Sequence, residues 1–106
     1  MDVNILEKNI DTAVGLLKAF SNEKRLLILC YLYKQELCVG DLEKKVGLSQ
    51  SALSQHLARL RRDGLVQTRR DAQTIYYSLG HNACGTLMQC LYDLYCVPVK
   101  SDIRTA

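Results

Sequence analysis

One stretch, residues 49–65 (SQSALSQHLARLRRDGL), constrains the fold more than any other part of the chain. Ser49 is a good helix N-cap because its hydroxyl can accept a hydrogen bond from a free backbone N–H of the first turn. Gly64 can adopt the left-handed conformation that ends a helix. The pattern between them predicts a helix with one apolar stripe facing a core. The stripe consists of Leu53, Leu57 and Leu60.

The opposite face of this predicted helix carries hydroxyl, amide and guanidinium groups and no acidic side chain. A helix with such a face can enter the major groove of DNA, where glutamine can form two hydrogen bonds with adenine. A solvated amphipathic helix would show the same leucine spacing, so the face alone leaves both interpretations open. The residues of the face and its flanks are Ser51, Ser54, Gln55, Ala58, Arg59 and Arg62.

The segments around this helix predict a winged helix-turn-helix. A short helix over about residues 39–46 precedes it, at the spacing of a helix-turn-helix. The following segments LVQT and TIYYSL are rich in β-branched and aromatic residues and predict a two-stranded hairpin. Their connection is predicted as a polar wing tip that carries the guanidinium groups of Arg69 and Arg70.

The positive charge of the chain is concentrated in the same region. The formal net charge is +3, and residues 49–80 contain the whole excess, with arginine as the only cation there. The segments before and after are each neutral. This distribution is typical of a surface that contacts phosphates, although a solvated basic face would have the same composition.

The remaining apolar patterns complete a mainly α fold in the order ααααββα. Apolar residues three or four apart between Val3 and Phe20 predict a first helix of about four turns. Residues 26–33, all apolar or cysteine, predict a buried central helix that Ser21 can cap. Residues 82–96 predict a last helix. The apolar faces of the first and last helices exceed what a small core can cover, which predicts a homodimer on a palindromic site.

Length and composition favour one globular domain over residues 1–106, with residues 98–106 as a frayed tail. Apolar residues make up 48% and charged residues 24% of the chain. No apolar run is long enough to span a membrane, and the N-terminal residues lack the pattern of a signal peptide. We therefore expect a cytoplasmic protein with no membrane partner.

The run from Glu36 to Leu79, with its SQSALSQHLARLRRDGLV string, resembles the ArsR/SmtB family of dimeric winged-helix repressors. The resemblance implies a homodimer paired through the first and last helices and operator binding by the reading helix, with wing arginines on the DNA backbone. His56 lies beside the leucine stripe, so a packed or phosphate-bonded imidazole is the alternative to base reading. The predicted DNA-binding residues are Ser49, Gln50, Ser51, Ser54, Gln55, His56, Arg59, Arg62, Arg69 and Arg70.

Known metal sites of the family are incomplete in this chain. In the ELCVGDLE segment Cys38 is present, but Gly40 and Glu43 stand where further thiolates would be needed. One thiolate is too few for a soft metal ion. In the last helix only His81 and Asp93 could bind zinc, and their spacing is wrong. We predict no metal and no resident cofactor, while a metal- or metalloid-responsive repressor with an unrecognised site remains an alternative.

Two of the five cysteines occur in contexts that are similar to a known dithiol. Cys30 in RLLILCYL and Cys96 in LYDLYC resemble the pair in the branch of the family that responds to sulfide and persulfides, the BigR-, SqrR-, YgaV- and HlyU-like repressors. The resemblance implies that the reduced protein holds DNA and that a di- or polysulfide link between the two thiols releases the operator. Cys38, Cys84 and Cys90 need no function, since cysteine packs as a small hydrophobe.

Three other functions remain open. The chain could be a regulator of the HlyU-like kind with no inducer of its own, or a module that only binds other proteins. It could also be a small thiol enzyme such as a persulfide carrier, although it has no C-x-x-C motif and no glycine-rich phosphate loop. Salt-dependent DNA binding would separate the regulators from the other two classes.

Overall fold

The computed structural model describes residues 1–80 and 82–96, and these contain six helices and three strands. Mainly helical structure with a β-hairpin wing confirms the predicted fold class, and His81 and the predicted tail at 98–106 lie outside the described residues. The elements are α1 (Val3–Lys8), α2 (Ile10–Phe20), α3 (Glu23–Lys34), β1 (Leu37–Cys38), α4 (Val39–Val46), α5 (Gln50–Arg62), β2 (Val66–Asp71), β3 (Thr74–Leu79) and α6 (Asn82–Tyr95).

The predicted first helix is two helices, separated at Asn9. The Asn9 side-chain amide donates to the carbonyl of Ile5 at 3.0 Å, and its backbone N–H donates to carbonyls of α1. A side chain that bonds back to the preceding turn competes with continued helix, which is why asparagine favours helix ends. The apolar spacing runs unbroken across this position, so periodicity predicted one helix and was wrong in this detail.

The central helix is capped one residue later than predicted. Asn22 is the N-cap of α3, and its side chain accepts from the backbone N–H of Arg25 at 3.0 Å. Ser21 instead ends α2 and donates its hydroxyl to the Lys18 carbonyl. The Arg25 guanidinium also donates to the carbonyls of Lys18 and Ala19, both at 3.1 Å. It thereby satisfies carbonyls that the end of α2 leaves free.

The sheet has three strands instead of the predicted two. Its order is β1-β3-β2, with both pairs antiparallel, and Leu37 lies opposite Tyr77 while Cys38 lies opposite Tyr76. The sequence did not predict β1, because a strand of two residues shows no alternation. The third strand joins the end of α3 directly to the wing.

The wing turn falls later in the sequence than predicted. Strands β2 and β3 pair through Asp71 and Thr74, so the tip consists of Ala72 and Gln73. Ala72 has a φ of 57°, which is uncommon for a residue other than glycine. The predicted location of the two arginines at the tip is therefore wrong, since both lie within β2.

The core lies where α3, the helix-turn-helix and α6 meet. Ile28 and Leu29 of α3 are fully buried, which confirms the predicted central helix. The leucine stripe of α5 is also buried, as predicted. Cys84 of α6 is buried in the same core cluster. Among the described residues, no helix combines the length and apolarity that crossing a membrane requires.

Candidate DNA-binding surface and thiol pair

Helix α5 lies at the protein surface and packs on the core through its leucine stripe. Gly47 ends α4 in the left-handed conformation, with a φ of 75°, and the chain then turns into α5. Ser49 caps α5, since its hydroxyl accepts from the backbone N–H of Ala52 at 3.2 Å, as predicted. One face of α5 is therefore held by the core while the other remains free for a ligand.

Replacing Ser49 by alanine is expected to lower the free energy of unfolding by about 1 kcal/mol, because a first-turn N–H of α5 loses its acceptor. Urea unfolding without DNA measures this effect separately from any DNA contact of the residue. Ser51→Ala is the matched control, since Ser51 is exposed on the same turn and is not the cap. Equal losses in both variants would contradict the cap.

The exposed face of α5 carries most of the predicted reading residues. Polar and cationic side chains cover it, and α5 has no acidic residue in its first turn. Such a face offers donors and acceptors without repelling phosphates, which is what entry into a major groove requires. The exposed members are Gln50, Ser51, Ser54, Gln55, Arg59 and Arg62, with Ser49 at the cap.

His56 lies apart from this exposed set. It is half-buried, and burial lowers the pKa of its imidazole, which the nearby Arg25 charge lowers further. A neutral ring beside a cation of α3 is suited to packing between the helices. DNA contact by His56 therefore stays a prediction, and the packed alternative gains support from its position.

The arginines at the end of α5 are loosely held. Arg59 and Arg62 each approach Asp63 at 3.8 Å, and their side chains are 48% and 74% exposed. Exposed ion pairs of this kind contribute about 0–1 kcal/mol. Both guanidinium groups can therefore turn to phosphates at little cost.

The two wing arginines differ in their surroundings. Arg69 donates from Nε and Nη2 to the carboxylate of Glu36 at 2.7–2.9 Å, and its guanidinium stacks on the Tyr76 ring at 4.6 Å. The hydrogen bonds to Glu36 raise the pKa of Arg69. Arg70 is exposed and has no ion pair within residues 1–80 and 82–96. The sequence did not predict that Glu36 meets the wing, because this contact depends on β1.

The two predicted sensor thiols lie at the junction of α3 and α6, which pack together. Cys30 is half-buried on α3, and Cys96 is exposed directly after α6. Burial raises the pKa of the Cys30 thiol, and the charge of Cys96 raises it further. The structure thus brings the two sulfur atoms within electrostatic reach of each other.

The other cysteines have different environments. Cys84 is fully buried, and burial raises the pKa of its thiol to about 11. The Cys38 thiol donates to a carboxylate oxygen of Asp41 at 3.4 Å. Cys90 is exposed on α6, six residues before Cys96. In the ranges that the structure describes, no group of three or more metal-binding side chains comes together.

A stripe of apolar residues three or four positions apart on α1 and α2 faces solvent in the single protomer. Its five residues are 39–66% exposed, which is unusual for large apolar residues that follow one another at helical spacing. The end of α6 adds Tyr92, Leu94 and Tyr95 to the exposed apolar surface. The stripe consists of Val3, Leu6, Ile10, Val14 and Leu17.

Comparisons with known proteins identify close relatives. Residues 22–68 match the bacterial regulatory proteins of the arsR family. The transcriptional activator HlyU of Vibrio cholerae is 54% identical over 96 residues, which are 91% of this chain and 89% of the relative.

Solved structures give the same result. Reduced HlyU from Vibrio cholerae has a TM-score of 0.82 at 55% identity, covering 87% of this chain and 97% of the other. The transcriptional repressor BigR of Xylella fastidiosa has a TM-score of 0.83 at 37% identity, covering 92% and 100%. A homodimeric winged helix-turn-helix domain from Mycobacterium bovis has a TM-score of 0.74 at 26% identity, covering 83% and 82%.

Proposed function

Because the chain belongs to the arsR family and is a winged-helix transcriptional regulator rather than an enzyme, we propose that it is a dimeric repressor that senses reactive sulfur. In the reduced state it holds its operator, and a sulfur bridge between Cys30 and Cys96 releases it. The observation that carries this proposal is the position of both cysteines where α3 packs on α6, near enough for the charge of Cys96 to raise the pKa of Cys30.

The DNA-binding half of the proposal uses α5 as the reading helix. Its exposed polar face enters the major groove, with Gln55 placed to hydrogen bond a base and Arg59 and Arg62 placed near phosphates. The wing approaches the adjacent backbone. The operator is a palindrome, since two such helices in a two-fold dimer meet successive major grooves about 34 Å apart.

The dimer is supported by the exposed apolar stripe of α1 and α2 and by the apolar end of α6. Contiguous apolar surface of this kind usually marks an interface, and a relative with the same fold is described as homodimeric. We therefore assign the second copy of the chain to this surface.

The bridging reaction is a pair of thiol exchanges. The exposed Cys96 thiolate attacks the outer sulfur of a persulfide RSSH, and RSH leaves, so that Cys96 becomes a persulfide. The Cys30 thiolate, after losing its proton to solvent, then attacks the Cys96 sulfur and hydrogen sulfide leaves. The donor is reduced as the two cysteines are oxidised to a disulfide. A second donor molecule can add one sulfur atom first, giving a trisulfide.

The bridge acts on DNA binding through the helices that carry it. Cys30 lies on α3, which supports the reading helix and leads into β1, whereas Cys96 ends the helix assigned to the dimer. A covalent link between them changes the angle of α3 to α6 and so the separation of the two reading helices. A change of about 1–3 kcal/mol in the free energy of operator binding is typical of such coupling.

Gln55→Ala tests base reading and is expected to weaken operator binding by about 1–3 kcal/mol while leaving binding to unrelated DNA nearly unchanged. The operator is first isolated by selection from randomised duplexes, and dissociation constants are then measured at several salt concentrations. Gln35→Ala is the matched control, because Gln35 is an exposed glutamine at the end of α3.

Equal losses on both DNAs would mean that Gln55 does not read bases. For the wild type, the logarithm of the affinity should fall with the logarithm of salt concentration by about 0.9 per phosphate contact. Affinity that is independent of salt would contradict DNA binding as the function.

A further inference from the structure

The guanidinium of Arg69 has partners within the protein at two of its three nitrogens. Two of its nitrogens donate to one carboxylate, and its plane lies on the Tyr76 ring. Paired hydrogen bonds from arginine to a carboxylate are among the stronger surface contacts, and stacking on an aromatic ring adds to them. The side chains of Arg69 and Glu36 are 53% and 32% exposed, so the pair lies at the surface, and its bidentate geometry and the ring contact distinguish it from the single contacts of Arg59 and Arg62.

The carboxylate in this contact comes from outside the hairpin. Glu36 immediately precedes β1, and Arg69 and Tyr76 are opposite one another in the register of β2 and β3. The contact therefore ties the outer strand of the wing across β3 to the segment that leads out of α3. It lies in the middle of the hairpin, two residue pairs away from the tip pair of Asp71 and Thr74.

We propose that Glu36 keeps Arg69 off the DNA and makes it a positioning residue of the wing, which leaves Arg70 as the arginine of β2 that contacts phosphate. The inference rests on the DNA binding proposed above. It departs from the sequence-based prediction, in which both arginines contact the DNA backbone.

Competition for one guanidinium supports this assignment. To bind a phosphate, Arg69 would have to give up a bidentate carboxylate and leave the Glu36 charge unpaired near DNA. Arg70, exposed and without an ion pair in the described ranges, meets no such competitor. On this assignment the two neighbouring arginines of β2 differ in role, since Arg69 positions the wing and Arg70 contacts phosphate.

The test compares salt slopes of operator binding for Arg69→Gln, Arg70→Gln and Glu36→Gln in the full chain. Arg70→Gln should flatten the slope by about 0.9 per protomer because one phosphate contact is lost. Arg69→Gln should weaken binding several-fold with the slope unchanged. Glu36→Gln should strengthen binding several-fold and steepen the slope, because it frees Arg69 for phosphate.

A flatter slope in Arg69→Gln, or an unchanged slope in Glu36→Gln or in Arg70→Gln, would overturn the assignment. The double variant Glu36→Gln with Arg69→Gln should bind more tightly than Arg69→Gln alone, since no unpaired carboxylate remains beside the DNA. Salt-independent binding by the wild type would instead overturn the proposed function, so the two failures are distinguishable.

Discussion

Replacing Cys96 by serine is expected to abolish the response to persulfide while leaving operator binding by the reduced protein intact. The exposed thiol of Cys96 is the group that a donor can reach, and without it no bridge to Cys30 can form. For the wild type, the donor should weaken operator binding by about 1–3 kcal/mol, or roughly tenfold to a hundredfold. In Cys96→Ser this change should vanish.

The measurement is operator binding before and after treatment with a persulfide donor, combined with intact mass spectrometry. The bridged wild type should lose two hydrogen atoms, or gain one sulfur and lose two hydrogens. Cys30→Ser should also keep its operator but should retain a persulfide on Cys96, since the second thiol of the exchange is missing.

Cys90→Ser is the matched control, because Cys90 is exposed on the same helix. It should respond like the wild type. An inducible Cys96→Ser protein would move the sensor to another cysteine. A wild-type protein that ignores the donor would favour the regulator without its own inducer, and release by a metal salt would favour the metal-responsive alternative.

Leu17→Asp is expected to convert the dimer to monomers and to weaken operator binding by about a hundredfold or more. Leu17 lies in the apolar stripe and is 57% exposed in the single protomer. An aspartate there would have to be buried without a partner in the dimer, which is costly. A monomer then binds one half-site and loses the gain of about 10²–10⁴ that linking two binding modules provides.

Analytical ultracentrifugation measures the association, and operator binding is measured on the same samples. Asn4→Asp is the control, since it adds the same acidic group at an exposed polar position of α1. Circular dichroism should show folded protein for both variants. A dimeric Leu17→Asp protein with unchanged operator affinity would remove α2 from the interface.

Patterns that repeat along the chain predicted the fold well. The stripe of α5 and the apolar run of α3 are set by the helical period, and each is buried where expected. Ser49 and Gly64 act as predicted because capping depends on neighbours in the sequence, and Gly64 has the left-handed φ of 80° just after α5. The reading face followed from the same geometry, since the side opposite a buried stripe must face solvent.

Features that depend on distant parts of the chain could not be predicted in the same way. Strand β1 is too short to show a period, and its partner lies 38 or more residues later. The contact of Glu36 with Arg69 exists only because β1 joins the sheet. The proximity of Cys30 to Cys96 likewise depends on how α6 packs on α3, so for these two cysteines the sequence offered only a resemblance.

The Arg25 guanidinium, bonded to two carbonyls at the end of α2, has a mechanical consequence. It ties the end of α2, which carries Leu17 of the apolar stripe, to α3, which carries Cys30. A movement of α3 caused by the proposed sulfur bridge at Cys30 would therefore be passed on to α2 and to the dimer surface proposed for it. Burial and the charge of the same arginine lower the pKa of His56 on α5, so the corner also lies close to the helix proposed to read DNA.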